Sequence, residues 1–395
     1  MALLETTQVG ILGAGAMGSG IAQVAASAGH RVVVVDSYAP SLEKARITLG
    51  KTLARDVEKG RLTADKARDV EQRIRYEPAN GDDLSAFRDC GLIIEAIVEE
   101  LDAKQRAFRA MESVVSETCV LATNTSSLSV GALGAVCKRP ERVIGLHFFN
   151  PAPVLPLVEV IAAITSDPAV AEKAGALVST WGKTTVRAAD TPGFIVNRVA
   201  RPFYGEALRI HEEGIADIPT IDWALKELGG FRMGPFELMD LIGNDVNYAV
   251  TKSVFEAFYY DPRYRPSLTQ RRMVEAGRLG RKTGVGYYDY RAGAAKLEPR
   301  MDRAIGTGVV DRVLAMLINE AADAVQLRVA SPRDIDLAMT KGVNYPKGLL
   351  AWADEIGVDV VSLRLAALQQ EYGEDRYRPS PLLRRMGIAG KRFFE

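Results

Sequence analysis

Two residues capable of acid–base chemistry stand in otherwise apolar runs. His147 ends Val143–His147, and Glu159 lies inside Leu157–Ile161, twelve residues further on. Histidine is scarce, with three in the chain: His30, His147 and His211. An imidazole can take a proton from a hydroxyl near neutral pH. It does so best when a carboxylate fixes its tautomer and stabilises the imidazolium. A carboxylate in an apolar strand needs a partner, because burying it alone is costly, and His147 is the nearest sensible one. Residue types alone leave two readings open: a catalytic His–Glu pair, or a structural histidine and an edge-strand glutamate. His30 lies between a helix and a strand and is expected at a surface or turn.

A second pattern speaks of phosphate. Gly13-Ala14-Gly15-Ala16-Met17-Gly18 follows the apolar run Gln8–Leu12 and opens a helix, which is G-x-G-x-x-G in its meaningful context. The first glycine permits a tight turn, the second lets backbone approach a pyrophosphate, and the third lets helix and strand pack closely. The helix N-terminus presents N–H groups to the phosphates. Asp36 closes the next strand, 23 positions after Gly13. A carboxylate there accepts from ribose hydroxyls and repels a 2′-phosphate, so NAD is expected over NADP. The alternative is a small-residue helix that merely packs tightly.

The elements that must position these residues alternate. Strands are expected at Gln8–Leu12, Arg31–Val35, Leu92–Ala96, Val120–Thr123, Val143–His147 and Leu157–Ile161, and strand signals nearly stop after Thr184–Ala188. They are short and mostly apolar on both faces, as in a sheet covered by helices. Helices fit at Met17–Ala28, Ser41–Glu58, Leu101–Ser116 and Ala169–Trp181, the last announced by an Asp167 N-cap and Pro168. This alternation predicts an α/β, Rossmann-like doubly wound sheet over residues 1–188. Beyond it helical patterns take over, at 189–292 and 300–395, with a Gly/Ala/Arg-rich linker around Arg291–Lys296.

The third section repeats the second. An offset of 114 sets Asn197 over Asp311, Arg198 over Arg312, Glu206 over Glu320, Asp222 over Asp336, Gly234 over Gly348 and Asp240 over Asp354. Tyr264-Arg265-Pro266-Ser267 matches Tyr377-Arg378-Pro379-Ser380 after a one-residue slip. Two tandem all-α domains are therefore expected after one α/β domain. The second copy has Asp311 where the first has Asn197, and Lys347-Gly348-Leu349-Leu350 where the first has Met233-Gly234-Pro235-Phe236. It is expected to form no second active site and to dock on the first copy; a competing reading gives it a role in substrate selection or partner docking.

Composition excludes other classes. Of 395 residues, 47% are hydrophobic and 25% charged, ordinary globular values that leave no room for disorder or a disulfide scaffold. Fifty basic residues balance fifty acidic ones, so no net field draws the chain to nucleic acid or a membrane. No apolar run approaches the ~18 residues of a membrane span. Cys90, Cys119 and Cys137 show no C-x-x-C spacing and are expected in or near the core of a protein from a reducing compartment. The opening MALLETTQ lacks a basic segment followed by an apolar one, so a cytoplasmic location is expected. The histidines have no metal-ligand spacing, so no metal is expected.

Longer blocks carry a family likeness. Besides Gly13–Gly18 they are Glu95-Ala96-Ile97-Val98-Glu99, Asn124-Thr125-Ser126-Ser127, Gly145–Pro151, Leu157–Ile161, Asp190–Arg198, Met233–Glu237 and Gly284–Tyr288. Together they resemble the NAD-dependent L-3-hydroxyacyl-CoA dehydrogenases of fatty-acid β-oxidation, in the bacterial form with a duplicated helical domain. The resemblance implies reversible oxidation of a 3-hydroxyacyl-CoA to the 3-ketoacyl-CoA. It makes His147 the general base and Glu159 its partner, with Ser126 and Asn197 holding the C3 oxygen of the substrate. Asn150 falls at the asparagine of the H-F-F-N-P motif, on the substrate side. Gly13, Gly15, Ala16, Met17, Gly18, Asp36, Glu99, Lys104 and Asn124 fall on the cofactor side. Thr52 and Lys59 fall where the family contacts coenzyme A; Lys51, Arg55, Lys59 and Arg61 make that stretch basic, as would any exposed helix face. The family's helical domains associate, so a homodimer, or a monomer with an internal pseudo-dimer, is expected. A dicarboxylyl substrate would need a cation for its far carboxylate, and Arg201 and Arg209 lie near the right helix without either being singled out. Alternatives are a dehydrogenase of a free hydroxy acid or sugar acid, and a non-catalytic binding protein.

Overall fold

A computed structural model describes residues 6–394. The chain divides into two compact units, Met1–Phe194 and Ile195–Glu395.

The first unit is an eight-stranded sheet with helices on both faces. In chain order its elements are β1 (Val9–Leu12), α1 (Ala16–Ser27), β2 (Val32–Asp36), α2 (Ala39–Glu58), α3 (Ala64–Gln72), β3 (Ile74–Pro78), β4 (Leu92–Glu95), α4 (Leu101–Val114), β5 (Val120–Thr123), α5 (Val130–Gly134), β6 (Val143–Phe148), β7 (Leu157–Ala162), α6 (Pro168–Thr180) and β8 (Thr184–Ala189). The strands run in the order β3-β2-β1-β4-β5-β6-β7-β8. The first six are parallel; β7 is antiparallel to β6, and β8 runs parallel to β7. The expected strands all form, and Asp167 caps α6 by accepting from Ala169 N at 2.9 Å.

One core lies between the sheet and α1, α2 and α6, filled by Val9, Ile11, Val32, Val34, Ile144, Leu146, Val158, Val160 and Trp181 among others. Alternate strand residues point to opposite faces. His147 and Glu159 therefore project from the face opposite this core. His30 corrects the surface expectation: it is 1% exposed. Trp181 Nε1 donates to His30 Nε2 at 2.8 Å, and His30 Nδ1 lies 2.8 Å from the Thr7 carbonyl. Accepting at Nε2 forces the proton onto Nδ1, so this imidazole is a neutral structural cross-link. Cys90, Cys119 and Cys137 are free and buried, and burial pushes their thiols up to about 11, 12 and 12.

The second unit holds both helical copies. The first copy contributes α7 (Val196–Val199), α8 (Arg201–Glu212), α9 (Ile218–Trp223) running into a π-helical turn (Ala224–Leu228), α10 (Pro235–Ile242), α11 (Asn244–Ala257) and α12 (Leu268–Glu275). Residues 291–302 carry neither helix nor strand. The second copy contributes α13 (Arg303–Gln326), α14 (Pro332–Gly342), α15 (Leu349–Ile356), α16 (Val358–Tyr372) and α17 (Pro381–Ala389). Where the first copy breaks between α7 and α8, α13 runs straight through. Pro202 has no N–H to give the Arg198 carbonyl, whereas its counterpart Met316 does.

Matched residues do matched work. Asp222 accepts from Phe236 N and Glu237 N at 3.0 Å each; Asp336 accepts from Leu350 N and Ala351 N at 2.9 and 3.0 Å. A Cβ on Gly234 or Gly348 would lie 2.2 Å from that aspartate, which only glycine avoids. Burial pushes Asp222 up to about 7 against these hydrogen bonds. The copies also exchange partners. Arg198 and Tyr264 bind Glu320, both at 2.5 Å, while Arg312 and Tyr377 bind Glu206, both at 3.0 Å. Both glutamates are at most 1% exposed. Burial raises the Glu206 carboxyl, but Arg209 and Arg312 outweigh it and hold the group below its ordinary range.

No helix among the described residues is long and apolar enough to cross a membrane.

Candidate active site

The sheet register brings the first pair together. In the antiparallel β6–β7 ladder His147 sits directly opposite Glu159. Cross-strand neighbours stand ~5 Å apart at Cβ, which a histidine and a glutamate can close. His147 Nδ1 lies 2.7 Å from Glu159 Oε2. A carboxylate only accepts, so Nδ1 carries a proton, and in the neutral imidazole the basic lone pair is then on Nε2. Glu159 is fully buried on an interior strand flanked by β6 and β8, which removes the edge-strand reading. Phe149 and Phe194 flank the imidazole, with ring centroids 4.5 and 5.8 Å away.

The neighbouring strand ends carry a second charged cluster. β4, β5 and β6 run parallel, so residues just after Glu95, Thr123 and Phe148 meet along one end of the sheet. Asn124 Oδ1 accepts from Phe148 N at 2.8 Å and ties β5 to β6 there. Glu99 gathers the loop after β5: its Oε1 accepts from Thr125 Oγ1 (2.6 Å), Ser126 N (2.9 Å) and Ser127 Oγ (2.9 Å). Lys104 lies 2.6 Å from Glu95 and 3.2 Å from Glu99 and is 1% exposed. Burial raises the Glu99 carboxyl, but Lys104 and the hydroxyl and amide donors outweigh it and keep it ionised. Lys104 thus lies behind Glu99 as its counter-charge. Thr125 is the fastener that residue types did not single out; its only sequence signal is the hydroxyl run Thr125-Ser126-Ser127.

The glycine loop fits a dinucleotide. Gly13 has φ +107°, and a Cβ on Gly18 would lie 1.9 Å from the Gly13 carbonyl. Around Gly15 a Cβ would meet nothing, so the approach to the loop is open. No side chain caps α1, which leaves its first N–H groups for phosphate oxygens. Asp36 Oδ2 accepts from Ala14 N at 2.7 Å and Oδ1 from Tyr38 N at 2.8 Å, which aims the carboxylate while each oxygen keeps a lone pair for a ribose hydroxyl.

Other expected site residues are dispersed. Asn150 is exposed just beyond β6. Thr52 lies on α2 and Lys59 is the residue that caps its C-terminal end; Lys51, Arg55 and Lys59 recur at four-residue spacing and are exposed. Arg61 lies 3.6 Å from Asp56. Asn197 belongs to the second unit, in α7.

Comparison with known proteins is decisive at the level of family. Residues 8–191 match the family model "3-hydroxyacyl-CoA dehydrogenase, NAD binding domain". Residues 193–290 and again 309–392 match the C-terminal domain of the same family. The chain belongs to the 3-hydroxyacyl-CoA dehydrogenase family. It is 39% identical to the 3-hydroxyadipyl-CoA dehydrogenase of Escherichia coli K12, covering 98% of both chains. It is 40% identical to the probable 3-hydroxybutyryl-CoA dehydrogenase of Bacillus subtilis, over 73% of this chain and 98% of that one. The crystal structure of a 3-hydroxybutyryl-CoA dehydrogenase from Escherichia coli K12 superposes with a TM-score of 0.92 at 38% identity, covering 98% of this chain and 99% of that one. Family membership makes the chain an NAD-dependent oxidoreductase of 3-hydroxyacyl-CoA thioesters, and the twofold match of the C-terminal model accounts for the internal repeat.

Proposed function

We propose that this chain oxidises the 3-hydroxyl of an L-3-hydroxyacyl-CoA with His147 as general base and Glu159 as its fixed counter-charge. The observation that carries the reading is the 2.7 Å contact between His147 Nδ1 and the fully buried Glu159. It commits the imidazole to one tautomer, with Nε2 as the basic atom. His147 Nε2 takes the hydroxyl proton, and Glu159 stabilises the imidazolium as it forms. Ser126 and Asn197 donate to the C3 oxygen, which favours negative charge there in the ketone-reducing direction. The chemistry that bound NAD would supply is that of a hydride acceptor for C3. Gly13, Gly15, Ala16, Met17 and Gly18 would hold its pyrophosphate and Asp36 its adenosine ribose, while Glu99, braced by Lys104, and Asn124 would line its nicotinamide side. Asn150 borders the substrate, and Thr52 with the basic face of Lys51, Arg55 and Lys59 takes the coenzyme A phosphates. The protein acts in the cytoplasm without nucleic acid or membrane, and the exchanged ion pairs of its helical copies form a pseudo-dimer inside one chain.

Following NADH absorbance with 3-hydroxybutyryl-CoA, free 3-hydroxybutyrate and L-gulonate tests the reading. Turnover of the thioester alone supports it. Equal turnover of a free acid would transfer the site to hydroxy-acid or sugar-acid chemistry.

Two variants probe the parts separately. Glu159→Gln keeps a hydrogen-bond acceptor for Nδ1 but not the charge, so kcat falls about 10- to 100-fold with KM little changed, read in steady-state assays. Asp36→Asn keeps an acceptor for Ala14 N but no longer repels a 2′-phosphate. The preference for NAD over NADP in kcat/KM then narrows by about tenfold.

A further inference from the structure

Six arginines of the described residues are buried: Arg142, Arg198, Arg201, Arg209, Arg312 and Arg376. Five face a carboxylate. Arg142 pairs with Glu112, Arg198 with Glu320, Arg209 with Glu206, Arg312 with Glu206 and Glu213, and Arg376 with Glu213 and Glu374. Among the described residues Arg201 faces none. Its guanidinium rests 5.0 Å over the Tyr204 ring, and one Nη donates to Thr251 Oγ1 at 3.2 Å. Its Nε is buried without a hydrogen-bond partner. So is the hydroxyl of Tyr345, which is 6% exposed and interacts electrostatically with both Arg201 and Tyr204. Two buried donors without acceptors, one of them cationic, leave a place for an anion.

The internal repeat shows what Arg201 is not for. The packing charges Arg198, Glu206 and Asp222 all recur, as Arg312, Glu320 and Asp336. At the same offset Arg201 becomes Ala315, Tyr204 becomes Ile318 and Thr251 becomes Leu365. A helical copy can fold with this polar cluster replaced by apolar side chains. The cluster is absent from the copy that also lost the asparagine of the active site, with Asp311 in place of Asn197. Tyr345 is the second copy's contribution, standing where the first has Phe231.

Spacing says which anion fits. Arg201 follows Asn197 by four residues, with Ala200 between α7 and α8 still in the right-handed helical region, so the two are about one helical turn, ~6 Å, apart along the axis. In a six-carbon 3-hydroxy diacyl thioester, three C–C bonds of ~1.5 Å separate C3 from the far carboxyl carbon. Resting on the dehydrogenase reading above, we propose that Arg201 and the Tyr345 hydroxyl bind the far carboxylate of a dicarboxylyl 3-hydroxyacyl-CoA and so select diacid over monoacid substrates. The second helical copy then serves specificity, although it carries no site of its own.

The test compares 3-hydroxyadipyl-CoA with 3-hydroxyhexanoyl-CoA, equal in chain length and in the coenzyme A moiety, on the full chain. Wild type favours the diacid in kcat/KM. Arg201→Leu lowers that ratio by about 30-fold or more, since truncating one side of a buried charge pair costs that order. Tyr345→Phe lowers it by about three- to tenfold, the loss of one hydrogen bond to a charged group, and decides the matter should Arg201→Leu fail to fold. A wild type that does not favour the diacid overturns the inference while the dehydrogenase reading stands. So does an equal loss on both substrates, which would assign Arg201 to coenzyme A phosphate or to packing. Turnover of neither substrate overturns both.

Discussion

His147→Gln lowers kcat by about a thousandfold or more, the upper range for a lost general base, while the dissociation constant for NAD stays within about twofold, because the glycine loop proposed to hold the pyrophosphate joins β1 to α1, away from His147 on β6. Glutamine keeps much of the shape and a hydrogen bond to Glu159, so the loss isolates the missing basic lone pair. Single-turnover kinetics read the chemical step, and fluorescence quenching on NAD binding reads the cofactor. An unchanged kcat would remove His147 from the chemistry. An equal collapse of NAD affinity would make it structural.

Glu320→Ala has the second largest effect, on stability. Glu320 is 1% exposed and takes Arg198, Tyr264 and, at 3.6 Å, Arg263. Removing it strands buried positive charge, which costs about 4 kcal/mol. Arg198 and Arg263 both feel this, because Glu320 raises the affinity of each for the proton above the ordinary value in spite of burial. Denaturant melts of the full chain measure the loss. Glu320→Gln recovers only part of it, since the amide keeps an acceptor but no charge. A change below about 1 kcal/mol, the worth of an exposed pair, would show that the two copies are not joined through this glutamate.

The fold was legible where periodicity was strong. β1, β2 and β4 to β7 are apolar runs bounded by turn residues, and strands buried on both faces accept little else. β3 was not legible. Its sequence, Ile74-Arg75-Tyr76-Glu77-Pro78, is that of an edge strand with one face toward solvent, and charge and proline mask it. α3 before it is short and mostly polar. His147 and Glu159 could be paired by residue type, but only the antiparallel register turns twelve residues of separation into a direct contact. His30 went the other way: nothing in its neighbours foretells Trp181, 151 residues distant. Arg201 could be named from sequence but not separated from Arg209. The structure separates them by one fact, that Arg209 has Glu206 and Arg201 has no acid among the described residues.

The swapped pairs between Arg198–Glu320 and Arg312–Glu206 have an evolutionary consequence. In an assembly of two identical chains every substitution is felt twice, once on each side of the symmetry axis. Placing both partners in one gene ends that coupling. The half without an α/β companion can then drift to alanine, isoleucine and leucine at positions 315, 318 and 365 while the other half keeps its polar residues. Selection need only preserve the handful of side chains that clasp the halves together, and asymmetry becomes available as raw material for a new specificity.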